Sequence, residues 1–267
     1  MYPMNHSNKK LFLEMAFFVV FALLLTNSGM AKSRDYYQIQ VYNLTGKVQQ
    51  SKVESFLKSA YLPALHRAGI KTVGVFKPIE SDTTCEKRVY VWVPFTSLDH
   101  FAKIQEILLK DSEFQQKGVD FLGAPFDQAP FIRKESILLM AFPVQPTFVI
   151  PSFPTPHAQR IYELRSYEGP TEHLFRQKVK MFNEGGEITL FKKLEFNAVF
   201  YAEVISGSTM PNLMYMTTFS DMASHDAHWS AFGKHPEWVK LKAIPEYLNT
   251  VSKAVKVLLH PTDYSDL

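Results

Sequence analysis

The sequence predicts an α+β fold built from two tandem copies of a β-α-β-β-α-β unit whose sheets pack against each other. Three observations carry that prediction. Tyr37-Gln-Ile-Gln-Val-Tyr42 is echoed by Tyr162-Glu-Leu-Arg-Ser-Tyr167, and Val93-Pro-Phe-Thr-Ser-Leu-Asp-His100 by Thr217-Thr-Phe-Ser-Asp-Met-Ala-Ser224, at nearly the same offset of about 125 residues. A period this long is a duplicated domain rather than a solenoid repeat, because each copy is large enough to bury its own core. Within each copy, strand-like and helix-like runs follow one another in the same order. Between the copies, residues 143–158 carry Pro143, Pro146, Pro151, Pro154 and Pro156, a density that excludes a sheet interior and reads as an extended linker.

In the first copy, residues 32–142, Tyr36 to Leu44 alternates as a strand. Val53, Phe56, Leu57, Ala60 and Tyr61 recur at helical spacing within Val48 to Ala68, and Gly69 closes that helix. Ile70 to Ile79 and Arg88 to Phe95 form an antiparallel pair across a polar connection, Thr96 or Ser97 caps a helix reaching Leu109, and Arg133 to Phe142 is the last strand. The second copy, residues 159–267, offers a strand at Arg160 to Tyr167 and a helix from Thr171 to Asn183 that Gly185 and Gly186 stop. Phe196 to Ile205 and Leu213 to Phe219 are its central strands. Asp221 opens a helical region interrupted near Gly233 and Pro236 that runs to Lys242, and Ala254 to Leu259 closes the unit. This order is the ferredoxin-like unit. Helices cover one sheet face in each, so the bare faces can cover each other as a pseudo-dimeric α/β barrel.

Residues 1–31 read as a secretory signal: Lys9 and Lys10 precede an apolar core from Met15 to Leu25, and Ala31 offers a small residue for cleavage. That core is too short to cross a bilayer of roughly 30 Å, so an exported chain, periplasmic or secreted, with no stable membrane span after cleavage is expected. Cys85 stands alone, which excludes an intramolecular disulfide and leaves stability to packing. The net charge of +3 is small for 267 residues, with bases scattered among acids, so no nucleic-acid footprint is present.

Strand pleating puts Glu163, Arg165 and Tyr167 on one face and Tyr162 and Leu164 on the other. If the apolar face meets the helices, the polar trio points into the space between the sheets. The same register in the first copy gives Gln38, Gln40 and Tyr42. These six are the candidate ligand-binding residues: Arg165 could hold a carboxylate or carbonyl bidentately, and Glu163 could act as a base if burial raised its pKa. The alternative is an ion pair that only holds register. Tyr90 and Trp92, with Met214 and Met216 at the matching places, read as core. His225 and His228 sit at i, i+3 and are the pair that would ligate a metal, but no third ligand is fixed, so no metal and no cofactor is expected. Phosphate-binding glycine loops, nucleophile elbows and zinc-knuckle spacings are absent from the sequence.

Glu163-Leu-Arg-Ser-Tyr167 at a strand start, followed by a helix, a hairpin and Ala231-Phe-Gly-Lys-His-Pro-Glu-Trp238-Val-Lys-Leu-Lys242, resembles the NIPSNAP family. The resemblance covers most of residues 159 to 260 and extends more distantly to the first copy, where Gln38 and Gln40 depart from the charged pattern. It implies a tandem ferredoxin-like, dimeric α/β-barrel architecture, a fold shared with monooxygenases, haem-degrading enzymes and polyketide-type cyclases, and implies little about activity. The expected function is binding or transformation of a small organic molecule in a barrel pocket, with a homo-oligomer as the other expected partner. The alternative is a non-catalytic interaction module with a filled barrel core.

Overall fold

Strands with apolar residues on both faces need cover on both faces, and the computed structural model meets that need by closing the sheet on itself. It describes residues 33–79 and 87–267, so the expected leader at 1–31 and Cys85 lie outside the described residues. The N-terminal half runs β1 (Tyr36–Asn43), α1 (47–67), β2 (Gly74–Pro78), β3 (Arg88–Phe95), α2 (Leu98–Lys110), α3 (Ser112–Leu122) and β4 (Arg133–Ala141). The C-terminal half runs β5 (Ile161–Glu168), α4 (Glu172–Asn183), α5 (Glu187–Lys193), β6 (Phe200–Ser206), β7 (Asn212–Phe219), α6 (Met222–Lys234), α7 (Pro236–Leu241) and β8 (Lys253–Pro261).

The strands form a closed barrel in the order β1-β3-β2-β8-β5-β7-β6-β4, antiparallel throughout. The halves therefore join edge to edge. Phe76 pairs with Pro261 and Pro78 with Leu259 at one seam, and Ala141 pairs with Ala202 at the other. Closure removes the free edges that two separate sheets would expose.

Helix boundaries follow local chemistry. Ser97, Asp111, Thr171 and Asp221 accept from the backbone N–H three residues on and start α2, α3, α4 and α6. Asp111 thus begins a second helix, α3, that apolar spacing alone does not announce. Pro63 has no N–H to give the Ser59 carbonyl, and α1 passes that point through a π-helical turn at Leu57–Tyr61. Gly186, at φ 98°, turns the chain into α5, which sequence periodicity also leaves unmarked. The helical region after Asp221 breaks at His235, which ends α6 and caps α7 before Pro236.

Two expected strands are shorter than predicted. Only Gly74–Pro78 pairs, because Ile70 N closes α1 on the Leu65 carbonyl and Val73 N donates to Asp266. β6 starts at Phe200 rather than Phe196, because Glu195 and Asn197 take positive φ values of 56° and 45°. The proline-rich segment stays out of the sheet but is anchored: Val149 N donates to the Val199 carbonyl, and the Phe148 ring sits 5.2 Å from Trp92.

Three apolar layers result. Tyr37, Ile39, Trp92, Tyr162, Leu164, Phe200, Met214 and Met216 fill the barrel interior. Outside it, one core lies under the helices of the N-terminal half, and another, rich in aromatic rings, lies under those of the C-terminal half.

Candidate functional site

The polar trio of β5 faces the helices and not the barrel interior, which inverts the sequence expectation. An eight-stranded barrel is just wide enough for its own side chains. Tyr162 and Leu164 therefore point inward, where water cannot hydrate a charge, and Glu163, Arg165 and Tyr167 point outward to partners offered by α6 and β7. Glu163 is only 1 % exposed and fully engaged. One carboxylate oxygen accepts from Arg165 Nε at 2.9 Å and Nη2 at 2.8 Å; the other accepts from Trp229 Nε1 at 2.6 Å. Arg165 stacks 3.5 Å above the Trp229 ring and donates to the Tyr167 hydroxyl at 3.1 Å, which in turn lies 3.0 Å from that of Tyr215. Such stacking and bidentate pairing are what a guanidinium does well.

His225 is drawn into the same network. Its Nε2 lies 3.4 Å from Glu163, an ion-pair distance without hydrogen-bond alignment, and its Nδ1 lies 2.8 Å from Asp226. Burial opposes an imidazolium here, but the two carboxylates outweigh it and raise the His225 pKa above the ordinary histidine value. Burial likewise pushes the Glu163 carboxyl up, and His225 and Arg165 together overcome that and hold it below the usual carboxylate range. The carboxylate is thereby held ionised, as the partner of Arg165 and His225. His228 gives its Nδ1–H to the Ser224 carbonyl of its own helix at 2.6 Å. The two histidines thus diverge, and among the described residues no group of three or more His, Cys, Asp or Glu side chains is placed to hold a metal.

Behind the trio lies a second buried pair, Lys178 to Glu187 at 2.8 Å, which sequence reasoning missed because the partners sit on different helices. Burial raises the Glu187 pKa, and the Lys178 ammonium offsets part of that rise. In the N-terminal half the matching positions make a neutral network. Gln40 Nε2 donates to Gln38 at 2.9 Å and to the Tyr61 hydroxyl at 2.6 Å, Tyr42 donates to Gln40 at 3.3 Å, and Gln38 donates to Ser136 at 2.7 Å.

The barrel interior is filled at its middle and open at one mouth. A cavity of about 180 Å³ there has a floor of Ile39, Val41, Leu164 and Met214, and both halves contribute to it. Its rim is polar: Glu135, Ser166, Glu168 and Asn212, with the β6–β7 loop at Ser208 and Thr209 as a lip. Asn212 Nδ2 donates to Ser166 at 2.8 Å and to Thr209 at 3.4 Å, holding Thr209 at φ 61°, a left-handed conformation a β-branched residue seldom adopts. Beyond the floor, Tyr37 Oη and Trp92 Nε1 are buried without a hydrogen-bond partner among the described residues. One sequence signal for this mouth existed: the inward register of β5 reads Tyr162, Leu164, Ser166, Glu168, turning from apolar to polar toward the strand end.

A closed, eight-stranded antiparallel barrel jacketed by helices defines the class: an α+β barrel protein. Residues 162–266, in the C-terminal half, match the NIPSNAP family model. Among solved structures, a proposed monooxygenase of Lactobacillus acidophilus NCFM superposes with a TM-score of 0.54 at 9% identity, covering 85% of this chain and 94% of the other. A proposed monooxygenase of Fusobacterium nucleatum gives 0.54 at 8% identity, covering 86% and 93%. A NIPSNAP family protein of Agrobacterium tumefaciens C58 gives 0.37 at 19% identity, covering 41% of this chain and 99% of its own. At such identities the likeness is one of fold. No curated protein matches the chain.

Proposed function

We propose that this chain is a small-molecule-binding barrel protein built from two tandem ferredoxin-like units, exported behind the leader expected at 1–31. The observation that carries the reading is the mouth cavity, which neither half could form alone and which joins an apolar floor to a polar rim. Its size suits a compact amphiphile, apolar body inward and polar end toward Ser166 and Asn212. The NIPSNAP domain and the barrel neighbours described as monooxygenases support a small-molecule role without naming a reaction. The charged trio supports it indirectly, by fixing β5 and β7, which carry Leu164, Ser166, Asn212 and Met214.

A second reading has its own support. Phe126 is fully exposed, and Val119 and Leu122 beside it on α3 are 59% and 48% exposed, so the outer helices of the N-terminal half offer an apolar surface to a protein partner. Native mass spectrometry of the wild type and of Ile137→Trp, which fills the mouth from a half-buried position, separates the two. The small-molecule reading expects a reproducible added mass that the variant loses while its melting temperature stays within a few degrees. An added mass retained by the variant would place the ligand elsewhere and overturn the assignment.

A further inference from the structure

The two halves treat the space between sheet and helices differently, and the difference points to a second ligand site. In the C-terminal half that space is packed with rings: Phe191 stacks on Phe232 at 4.8 Å, Phe232 lies 4.5 Å from Trp238, and Phe196 lies 4.7 Å from Trp229. The cations there are consumed internally, Arg165 by Glu163 and Lys178 by Glu187. In the N-terminal half the same space keeps a cavity of about 220 Å³ between β1, β4 and the three helices. Its walls are aromatic: Tyr42, Tyr61, Phe114, Phe121 and Phe131. Phe56, which also lines the cavity, stacks on Phe121 at 4.0 Å and 5°, and Phe131 stands edge-on to Tyr42 at 5.4 Å.

One side chain on the rim carries a charge. Lys134 lies directly across the sheet from Tyr42, its ammonium 5.9 Å above that ring, and no ion-pair partner is present for it among the described residues. No carboxylate lines the cavity. At the corresponding register position, opposite Tyr167, the C-terminal half has Ala254. The C-terminal half instead holds the Lys178 ammonium 5.5 Å over the Tyr167 ring and pairs it with Glu187, so of the two cations only Lys134 is without an ion-pair partner among the described residues. At the cavity wall, the Tyr61 hydroxyl accepts from Gln40 and retains its own proton to donate.

We propose that this cavity binds a planar aromatic anion, a single-ring carboxylate or phenolate, with its ring between the aromatic walls and its charge on Lys134. Aromatic walls select a ring by edge and face contacts, and an unpaired ammonium selects the anion over its neutral isostere. The site is separate from the barrel mouth and stands or falls independently of it.

The test is titration of the full-length chain with benzoate and with benzyl alcohol, read by saturation-transfer NMR and calorimetry, in the wild type, Lys134→Met and Ile137→Trp. Benzoate is expected to bind saturably and about tenfold more tightly than benzyl alcohol, the scale of one charge-assisted contact. Lys134→Met should bring benzoate down to the alcohol's affinity and leave the alcohol unchanged. Because Lys134 is exposed and outside the core, its removal does not threaten folding. Ile137→Trp should leave benzoate binding intact. Absence of saturable binding, equal affinity for the two probes, full affinity in Lys134→Met, or loss in Ile137→Trp would each overturn the assignment.

Discussion

The two halves solve the same problem, polar side chains on the helix-facing side of a first strand, with different chemistry. In the N-terminal half Gln38, Gln40 and Tyr42 share neutral hydrogen bonds with Tyr61 and Ser136. In the C-terminal half Glu163, Arg165 and Tyr167 form a charged network closed by Trp229 and His225. A neutral network costs little to bury and can be loosened locally. Buried charges tolerate no loss of a partner, and they bind the α6 helix tightly to the sheet. The half with the charged network fills the space under its helices with stacked rings, and the half with the neutral one has a cavity there.

The largest expected effect comes from breaking the charged network at its centre. Glu163→Ala strands Arg165 and the Trp229 N–H, and should cost about 3–5 kcal/mol in urea unfolding, the range for a widowed buried charge. Lys178→Met leaves Glu187 alone and should lie in the same range, about 3–5 kcal/mol, whereas Lys178→Met with Glu187→Leu should recover most of the loss, because removing a whole buried pair is often neutral. If the double variant were no better than the single, the pair would matter for more than charge balance. Gln40→Leu, by contrast, should cost about 1–2 kcal/mol, the scale of lost neutral hydrogen bonds. A cost equal to that of Glu163→Ala would erase the contrast between the halves.

The smallest effect is the pH dependence of the charged network. The His225 pKa is raised in the fold, so its stabilisation is complete below the ordinary histidine value near 6.5 and is lost as pH rises through the higher folded value. The Glu163 pKa is lowered, so its stabilisation is complete above the ordinary value near 4.5 and is lost as pH falls through the lower folded value. Melting temperature against pH for the wild type and His225→Asn should show the alkaline limb flattened in the variant and the acid limb weakened but still present, because Arg165 alone then holds the Glu163 carboxylate. An unchanged alkaline limb would remove His225 from the network.

Much of this was legible in the residues. The α+β class and the core assignment of Tyr90, Trp92, Met214 and Met216 follow from periodicity, and the four residues lie in the barrel interior. The facing of the β5 trio did not follow, because parity fixes which residues share a face and not which face meets which layer. Both layers are buried here, and only closure of the barrel decides that Tyr162 and Leu164 go inside. The Lys178–Glu187 pair and the mouth cavity join residues far apart in sequence, for which a single chain gives no register. The NIPSNAP resemblance in Glu163-Leu-Arg-Ser-Tyr167 was sound, and the structure gives those residues a physical use, as the framework holding a strand whose other face lines the mouth.

The most direct test of the small-molecule account is an amide chemical-shift map of the isotopically labelled chain titrated with a panel of compact amphiphiles. The account predicts saturable shifts clustered at Ile39, Val41, Ile137, Leu164, Ser166, Asn212 and Met214, around the barrel mouth. Shifts confined to the outer surface at Val119, Leu122 and Phe126, with the mouth residues silent, would contradict it and favour the interaction module.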